Sequence, residues 1–210
     1  MDFQRPLSVV APTLDGDVLA VLAGAEEEFT GRRIHRVLGR GSEQGVRKAA
    51  DRLVEQGIVI RRQAGQAKLY SLNRSHLAAP YVVSLGSLRA ELVERLRNAV
   101  KSWERPPWVV YLFGSVARGE AGPESDLDLL VLRRRDTDEE EEDWQDQLLA
   151  LERDATAWTG NEARLIEYGR DDLDDPAIRE VVEEALEDGI SIFGGRPRLR
   201  RALLNVRDSS

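Results

Sequence analysis

The sequence predicts an α+β protein of two domains, and three observations lead to that prediction. The charge balance changes along the chain: 12 Lys/Arg stand against 9 Asp/Glu in residues 1–80, but 18 stand against 29 in residues 81–210. The first stretch reads as helices followed by two short strands, whereas the second has apolar strands that alternate with helical patterns. We therefore predict a basic module and an acidic module that have different partners.

The composition restricts the metal chemistry and the compartment that we expect. The chain has no cysteine and only two histidines, so a metal ion would have to be bound by carboxylates, which favours Mg²⁺. No apolar run approaches the roughly 18 residues that a membrane helix needs, and the first residues lack the pattern of a signal peptide. We expect a cytoplasmic protein with no membrane partner.

Helical periodicity and turn residues divide the first domain into three helices and a hairpin. Thr30 and Ser42 offer hydroxyl groups that can cap the second and third helices, and Gly39 and Gly57 can end them. A turn that contains Gly65 joins the two strands. The predicted elements cover residues 14–25, 31–38, 43–56, 58–63 and 67–72. This order is typical of a winged helix-turn-helix domain.

Most of residues 12–74 resemble the bacterial MarR/ArsR-type transcription regulators, and the segment 50–59 carries most of the likeness. Basic and polar side chains lie on the outer positions of the third helix and on the hairpin, where they can contact bases or phosphates of double-stranded DNA. The predicted DNA contacts are Gln44, Arg47, Lys48, Arg61, Arg62 and Lys68. A protein-docking or dimerisation module is the alternative, since Glu43 and Asp51 lie on the same helix.

A long amphipathic helix is predicted to connect the two domains. Leucine and valine recur at helical spacing from Val83 to Trp103, and Arg105-Pro106-Pro107 ends the pattern. This apolar stripe packs against the domains or forms the seam of a homodimer. The predicted organisation is a winged-helix domain at 1–80, a connecting helix at 81–105, an α/β domain with a mixed sheet at 106–195 and a basic tail at 196–210.

The second domain contains the pattern that points to phosphate chemistry. An apolar strand at 108–113 leads into Gly114-Ser115, and ten residues later a second strand opens with Asp126-Leu127-Asp128. Side chains alternate along a strand, so the two carboxylates share a face about 7 Å apart and can bind one hydrated divalent cation. Gly114 lets the backbone approach a phosphate closely, Ser115 can donate its hydroxyl and amide groups, and Arg118 can hold further phosphate charge.

This combination resembles the DNA polymerase β-like nucleotidyltransferases, most closely their small bacterial members, over roughly residues 108–195. The motif positions are occupied by Phe113, Gly114, Ser115, Ala117, Arg118, Gly119, Glu120, Ser125, Asp126, Asp128 and Leu129. The resemblance implies that Asp126 and Asp128 are the catalytic metal ligands. It further implies that Gly114, Ser115, Arg118 and Ser125 bind the nucleotide. An acceptor hydroxyl would attack the α-phosphorus of a nucleoside triphosphate, and pyrophosphate would leave.

One position departs from the pattern of that superfamily. Its active members usually carry a third acid on a later strand, and spacing from Gly160 puts Arg164 at that position. Glu162 and Glu167 flank it, but alternation places only Glu162 on the same face. An arginine there would repel a second cation or contact a phosphate.

Two functions follow from these patterns. The first is a magnesium-dependent nucleotidyltransferase that moves a nucleoside monophosphate to an acceptor hydroxyl and is coupled to a DNA-binding winged helix. The alternative is a transcriptional regulator whose transferase domain senses a nucleotide with little or no turnover. Intact Gly114-Ser115 and Asp126-Leu127-Asp128 favour the first, whereas Arg164 favours the second.

Overall fold

The computed structural model describes residues 1–207 of the chain, which divide into two compact units. One unit comprises residues 4–88 with Asp2, and the other comprises the chain from Arg89 onward with Met1 and Phe3. Each unit has its own buried hydrophobic core, as expected for separate domains.

The first unit contains four α-helices and a three-stranded sheet. The helices and the hairpin lie close to their predicted bounds, whereas strand β1 was not predicted. All strands are antiparallel, in the order β1-β3-β2, and Phe29 of β1 pairs with Tyr70 of β3. The elements are a 3-10 helix Pro6–Val9, α1 Leu14–Ala23, β1 Phe29–Thr30, α2 Gly31–Leu38, α3 Glu43–Glu55, β2 Val59–Ala64, β3 Ala67–Leu72 and α4 Ala79–Gly86.

Capping residues set the ends of the two middle helices as predicted. The Thr30 hydroxyl accepts a hydrogen bond from the Arg33 amide at 3.2 Å, and the Ser42 hydroxyl accepts one from the Gly45 amide at 3.0 Å. Gly39 ends α2 in the left-handed conformation. The helices bury one apolar face each around Leu22, Ile34, Val46 and Leu53, while Val37 of α2 is exposed.

The predicted single helix from Val83 to Trp103 is two helices, α4 and then α5 at Leu88–Lys101. Two serine hydroxyls donate to carbonyls one turn back, Ser84 to Pro80 at 2.9 Å and Ser87 to Val83 at 3.2 Å. Such side-chain bonds compete with the helical ladder, and Gly86 adds no side chain that would favour the helix. Pro80 lies in the first turn of α4, where proline is tolerated.

The second unit is a four-stranded mixed sheet covered by helices on both faces. The strand order is β6-β5-β4-β7, with β5 and β6 parallel and the other pairs antiparallel, so the mixed sheet is confirmed. The elements after α5 are β4 Val109–Phe113, α6 Gly114–Arg118, β5 Leu127–Arg133, α7 Glu142–Thr159, β6 Ala163–Gly169, a 3-10 helix Arg170–Asp174, α8 Pro176–Asp188, β7 Ile190–Phe193 and α9 Arg196–Arg207.

Both faces of the central strands are buried, which explains their continuous apolar sequence. Leu127, Leu129 and Val131 face the core that includes α5 and α7, whereas Leu130 and Leu132 face the core that includes α8 and α9. This alternation continues back to Asp128, which lies on the same face as Leu130.

The predicted basic tail is helical as far as the structure describes it. It forms α9, whose Leu199 is fully buried, and residues 208–210 lie outside the described part of the chain. None of the helices within residues 1–207 combines the length and the apolar character needed to cross a membrane.

Candidate functional site

The turn from β4 into α6 brings the backbone of Gly114 against the carboxylate of Asp128. Phe113 at the end of β4 pairs with Asp128 of β5, so the next residue of the chain lies beside this side chain. Gly114 has a φ of +68°, and a Cβ built on it would lie 2.7 Å from Asp128 Oδ2. Only glycine satisfies both the left-handed backbone and the short approach. The two halves of the sequence motif therefore meet in space.

Asp126 lies close enough to Asp128 to affect the ionisation of the Asp128 carboxyl. Burial raises the pKa of Asp128 above the ordinary aspartate value, and the Asp126 carboxylate raises this pKa further. Arg164 acts in the opposite direction and lowers the same pKa. A partly buried pair of like charges at the start of a strand is an unfavourable arrangement in isolation, and it becomes favourable when a cation is shared.

Arg164 supplies the closest positive charge to this pair. In the parallel pairing of β5 and β6, Arg164 is the partner of Asp128, and its Nη1 lies 2.6 Å from Asp126 Oδ2. Its Nη2 lies 3.9 Å from Glu162 Oε2. The Arg164 side chain is 55% exposed, so the guanidinium contacts the carboxylate at the surface of the site.

Arg118 is held by three acids, two of which the sequence pattern did not bring to the site. Its Nε lies 3.1 Å from Glu120 Oε2, and its Nη1 lies 3.5 Å from Glu184 Oε1 and 4.0 Å from Asp188 Oδ2. Glu184 and Asp188 belong to α8, which packs on α6. Sequence reasoning missed them because only the tertiary packing of α8 places them here.

A buried asparagine, Asn161, holds the loop before Asp126 by hydrogen bonds to its backbone carbonyls. Asn161 is 2% exposed, and its Nδ2 donates to the Ser125 carbonyl at 2.7 Å, with longer contacts to the Gly122 and Pro123 carbonyls. The Ser125 hydroxyl, predicted to bind the nucleotide, accepts a hydrogen bond from the Gly122 amide at 3.0 Å. Ser115 is partly exposed beside Gly114. The clue to Asn161 was its place directly after Gly160, in the turn that leads to β6.

Residues 93–190 match the family model described as a nucleotidyltransferase domain. These residues are a nucleotidyltransferase domain. Among solved structures, one described as a toxin-antitoxin with AMP-PNP is 15% identical with a TM-score of 0.41, over 56% of this chain and 85% of that one. A mutant of the toxin-antitoxin MntA-HpeT is 13% identical with a TM-score of 0.40, over 56% and 84%. The comparison with curated proteins finds no match.

The oxygen donors of the nucleotidyltransferase domain suit a magnesium ion that is shared with a ligand. Within residues 1–207, no group of three or more Asp, Glu or His side chains is arranged to hold a metal ion by itself. Mg²⁺ bound to nucleotides commonly takes one or two carboxylates from the protein and completes its coordination with phosphate oxygens and water. Asp126 and Asp128, with the raised pKa of Asp128, fit that role.

The two glutamates that flank Arg164 have different surroundings. Glu167 pairs with Val131 and lies on the opposite face of β6 from Arg164, where its carboxylate accepts from Arg133 Nε at 2.8 Å. Glu162 precedes β6 and is 71% exposed near Arg164. Alternation along the strand had predicted this difference.

In the first unit, the six side chains predicted to contact DNA are all exposed, but most of their cations already have acidic partners. Asp51 lies 3.2 Å from Arg61 Nη1 and 3.6 Å from Lys68 Nζ, and it accepts a hydrogen bond from the Tyr70 hydroxyl. A groove of about 530 Å³ lies between α3 and β3 at this point. The other ion pairs are Arg47 with Glu43 and Arg62 with Glu28.

Lys48 and Gln44 differ from these paired cations. Both are exposed on α3, and none of the ion pairs within the described residues involves Lys48. The positive charge of these residues is therefore largely balanced within the unit, and Arg61 and Arg62, as neighbours in β2, point to opposite faces of the hairpin.

Proposed function

We propose that the chain is a magnesium-dependent nucleotidyltransferase that binds a nucleoside triphosphate at Gly114, Ser115, Asp126 and Asp128. The observation that supports it best is the pairing of Phe113 with Asp128, which puts Gly114 so close to this carboxylate that an added Cβ would lie 2.7 Å from Oδ2, because it joins the glycine turn and the acidic pair in one site. The match of residues 93–190 to the nucleotidyltransferase domain supports the same activity.

The roles of the side chains follow from their chemistry. Asp126 and Asp128 would hold the ion, which neutralises charge on the triphosphate when bound. The backbone beside Gly114 leaves room for phosphate oxygens, and Ser115 offers hydroxyl and amide donors to them. The acceptor oxygen would form a bond to the α-phosphorus while the bond to pyrophosphate breaks, and the hydroxyl proton would pass to solvent or to a nearby base.

Binding of the metal-bound triphosphate can be measured directly by calorimetry. We expect each binding nucleotide to require Mg²⁺, because Asp126 and Asp128 would otherwise repel its phosphates. EDTA or the double change Asp126→Asn/Asp128→Asn should abolish binding. Labelled triphosphates should then reveal transfer to an added acceptor or to the protein itself. Equal affinity with and without the metal and the carboxylates would refute the site.

A second candidate function is supported by the contact between Arg164 and Asp126. An arginine replaces the third acid, and Glu167 lies on the other face of β6, so the acceptor hydroxyl lacks an evident base. The chain would then be a transcriptional regulator whose transferase domain senses a nucleotide. Because a positioned base typically contributes about 10²–10⁴-fold, Arg164→Asp should raise transfer strongly if this reading is correct. Full activity in the wild type, lost in Glu162→Gln, would favour the enzyme instead.

We further propose that the first unit is a winged helix-turn-helix domain that binds double-stranded DNA. The sheet order β1-β3-β2 and the exposed residues of α3 and the hairpin support this proposal. The internal ion pairs of Arg47, Arg61, Arg62 and Lys68 oppose it, because each would have to be exchanged for a phosphate contact. DNA affinity is therefore expected to be moderate and strongly dependent on salt.

A further inference from the structure

We propose that Arg164 is a resident counter-ion of Asp126, and that it exchanges this carboxylate for a phosphate group when the metal-bound triphosphate enters. The inference rests on the proposed nucleotide site and adds a ligand-binding residue to it. It assigns one side chain two successive partners, an anion of the protein and an anion of the ligand.

The first step of the argument is the position of the guanidinium. Its Nη1 lies 2.6 Å from Asp126 Oδ2, a close ion pair. A divalent ion that used Asp126 as a ligand would compete for the same oxygen. Metal binding without nucleotide is therefore weakened by Arg164, both through this competition and through repulsion between cations.

The second step is that the guanidinium is free to change partners. Asp126 is 30% exposed and Arg164 is 55% exposed, so the pair is at the surface and its net stabilisation is small. Glu162 lies within 3.9 Å and offers only a weak alternative contact. A triphosphate brings several anionic oxygens to the same place, and arginine binds phosphate with paired hydrogen bonds.

The third step compares Arg164 with Arg118, the other arginine near the site among the described residues that could bind a phosphate. Arg118 was predicted to hold phosphate charge, but its guanidinium is shared among Glu120, Glu184 and Asp188. Releasing Arg118 means separating it from three carboxylates, whereas releasing Arg164 frees one carboxylate that the metal ion then uses. Exchange at Arg164 is the less costly of the two.

This arrangement predicts effects of opposite sign in one variant. Arg164→Gln should bind Mn²⁺ alone roughly three- to fivefold more tightly, because the competing cation is gone. The same variant should bind a triphosphate in the presence of the metal about tenfold more weakly, because a charged hydrogen bond to phosphate is lost. A purely structural defect would weaken both.

The experiment uses the full chain with Mn²⁺ alone, read by electron paramagnetic resonance, and then the α,β-methylene analogue of ATP, GTP, CTP and UTP with saturating Mn²⁺, read by calorimetry. Arg164→Lys keeps the charge but cannot form paired hydrogen bonds, so it should return the Mn²⁺ affinity toward the wild-type value and restore the triphosphate affinity only in part. Arg153→Gln, which removes the same charge from a 73% exposed position of α7, should change neither.

Each outcome decides a separate question. A wild type that binds neither Mn²⁺ nor any of the four analogues overturns the proposed function, and this inference with it. A wild type that binds both, with an Arg164→Gln variant that is unchanged or altered in the same direction for both ligands, overturns the inference alone. Opposite shifts in Arg164→Gln, with Arg153→Gln unchanged, support it.

Discussion

At the scale of single residues, the pair Asp126 and Asp128 carries a cost in stability that the proposed metal ion would offset. Asp128 is partly buried, and its pKa is raised, so the protonated carboxyl is more favoured in the folded chain than in the unfolded chain. As the pH rises through that raised pKa, the metal-free protein loses stability relative to the unfolded chain. Functional sites commonly carry such a cost.

Replacing Asp128 with asparagine should therefore stabilise the metal-free protein while it removes metal binding. We expect the melting temperature at pH 7 to rise by about 2–4 °C, which corresponds to about 1 kcal/mol in a chain of this size. At pH 3, below the ordinary aspartate pKa of 3.8, a raised pKa leaves the wild-type carboxyl largely protonated, so the difference should shrink. Scanning calorimetry at both pH values checks this, and a variant that is less stable at pH 7 would contradict it.

Asn161 allows a second prediction at the same scale. Its amide holds the carbonyls of the loop that leads into Asp126, with the shortest contact at 2.7 Å to Ser125. Asn161→Asp keeps the shape but loses the donors, so the loop should loosen and metal affinity should fall several-fold. Thermal unfolding should also occur at lower temperature, because a buried carbonyl loses its partner. Unchanged Mn²⁺ affinity in a folded variant would show that the loop does not depend on this residue.

At the scale of elements, Asp51 of α3 forms ion pairs with two cations of the hairpin, Arg61 and Lys68. Although burial raises the pKa of Asp51, the hydrogen bond from Tyr70 and the contacts of Arg61 and Lys68 lower it overall, so Asp51 is ionised at neutral pH. Burial and the same hydrogen bond raise the pKa of Tyr70 to about 12. This group of side chains ties α3 to β2 and β3.

Asp51→Asn should strengthen DNA binding by the full chain. The amide can still accept the Tyr70 hydrogen bond, while Arg61 and Lys68 lose their anionic partner and become available to phosphates. We expect a several-fold gain in affinity for duplex DNA at low salt. Asp15→Asn removes an equal charge from α1, where Asp15 pairs with Arg52, and serves as the control. Equal gains in both variants would point to net charge alone.

The same elements show what sequence could and could not predict. Alternation puts Arg164 on one face of β6 and Glu167 on the other, because that relation is local to the strand, whereas the pairing of Arg164 with Asp128 depends on the register of β5 and β6. The carboxylates around Arg118 depend on how α8 packs over α6, which no local pattern contains. The break between α4 and α5 was missed because serine hydroxyls that bond back to the helix do not disturb the apolar periodicity.

At the scale of the whole molecule, the two ends of the chain differ in charge, and the acidic part far outweighs the basic one. The formal net charge is −8, so the chain as a whole would repel DNA, and the proposed binding would depend on a restricted surface. Binding should therefore follow the number of phosphates contacted rather than the overall charge.

The salt dependence of DNA binding measures that number. With four to six phosphates neutralised, the logarithm of the affinity of the full chain should fall with a slope of about −4 to −5 against the logarithm of salt concentration. Lys48→Ala should reduce the slope by about one, since Lys48 is exposed on α3. A slope near zero, or no binding at 50 mM salt, would indicate that the first unit docks a protein instead.

The close approach of Gly114 to Asp128 has a consequence for the comparison of genomes. A methyl group at this position would contact the Asp128 carboxylate. It would also disfavour the left-handed backbone conformation that Gly114 adopts. We expect a homologue with any other residue at position 114 to have lost binding of the proposed nucleotide, even if both aspartates remain. The residue at position 114 in an alignment would thus distinguish homologues that keep the proposed ligand site from homologues that have lost it.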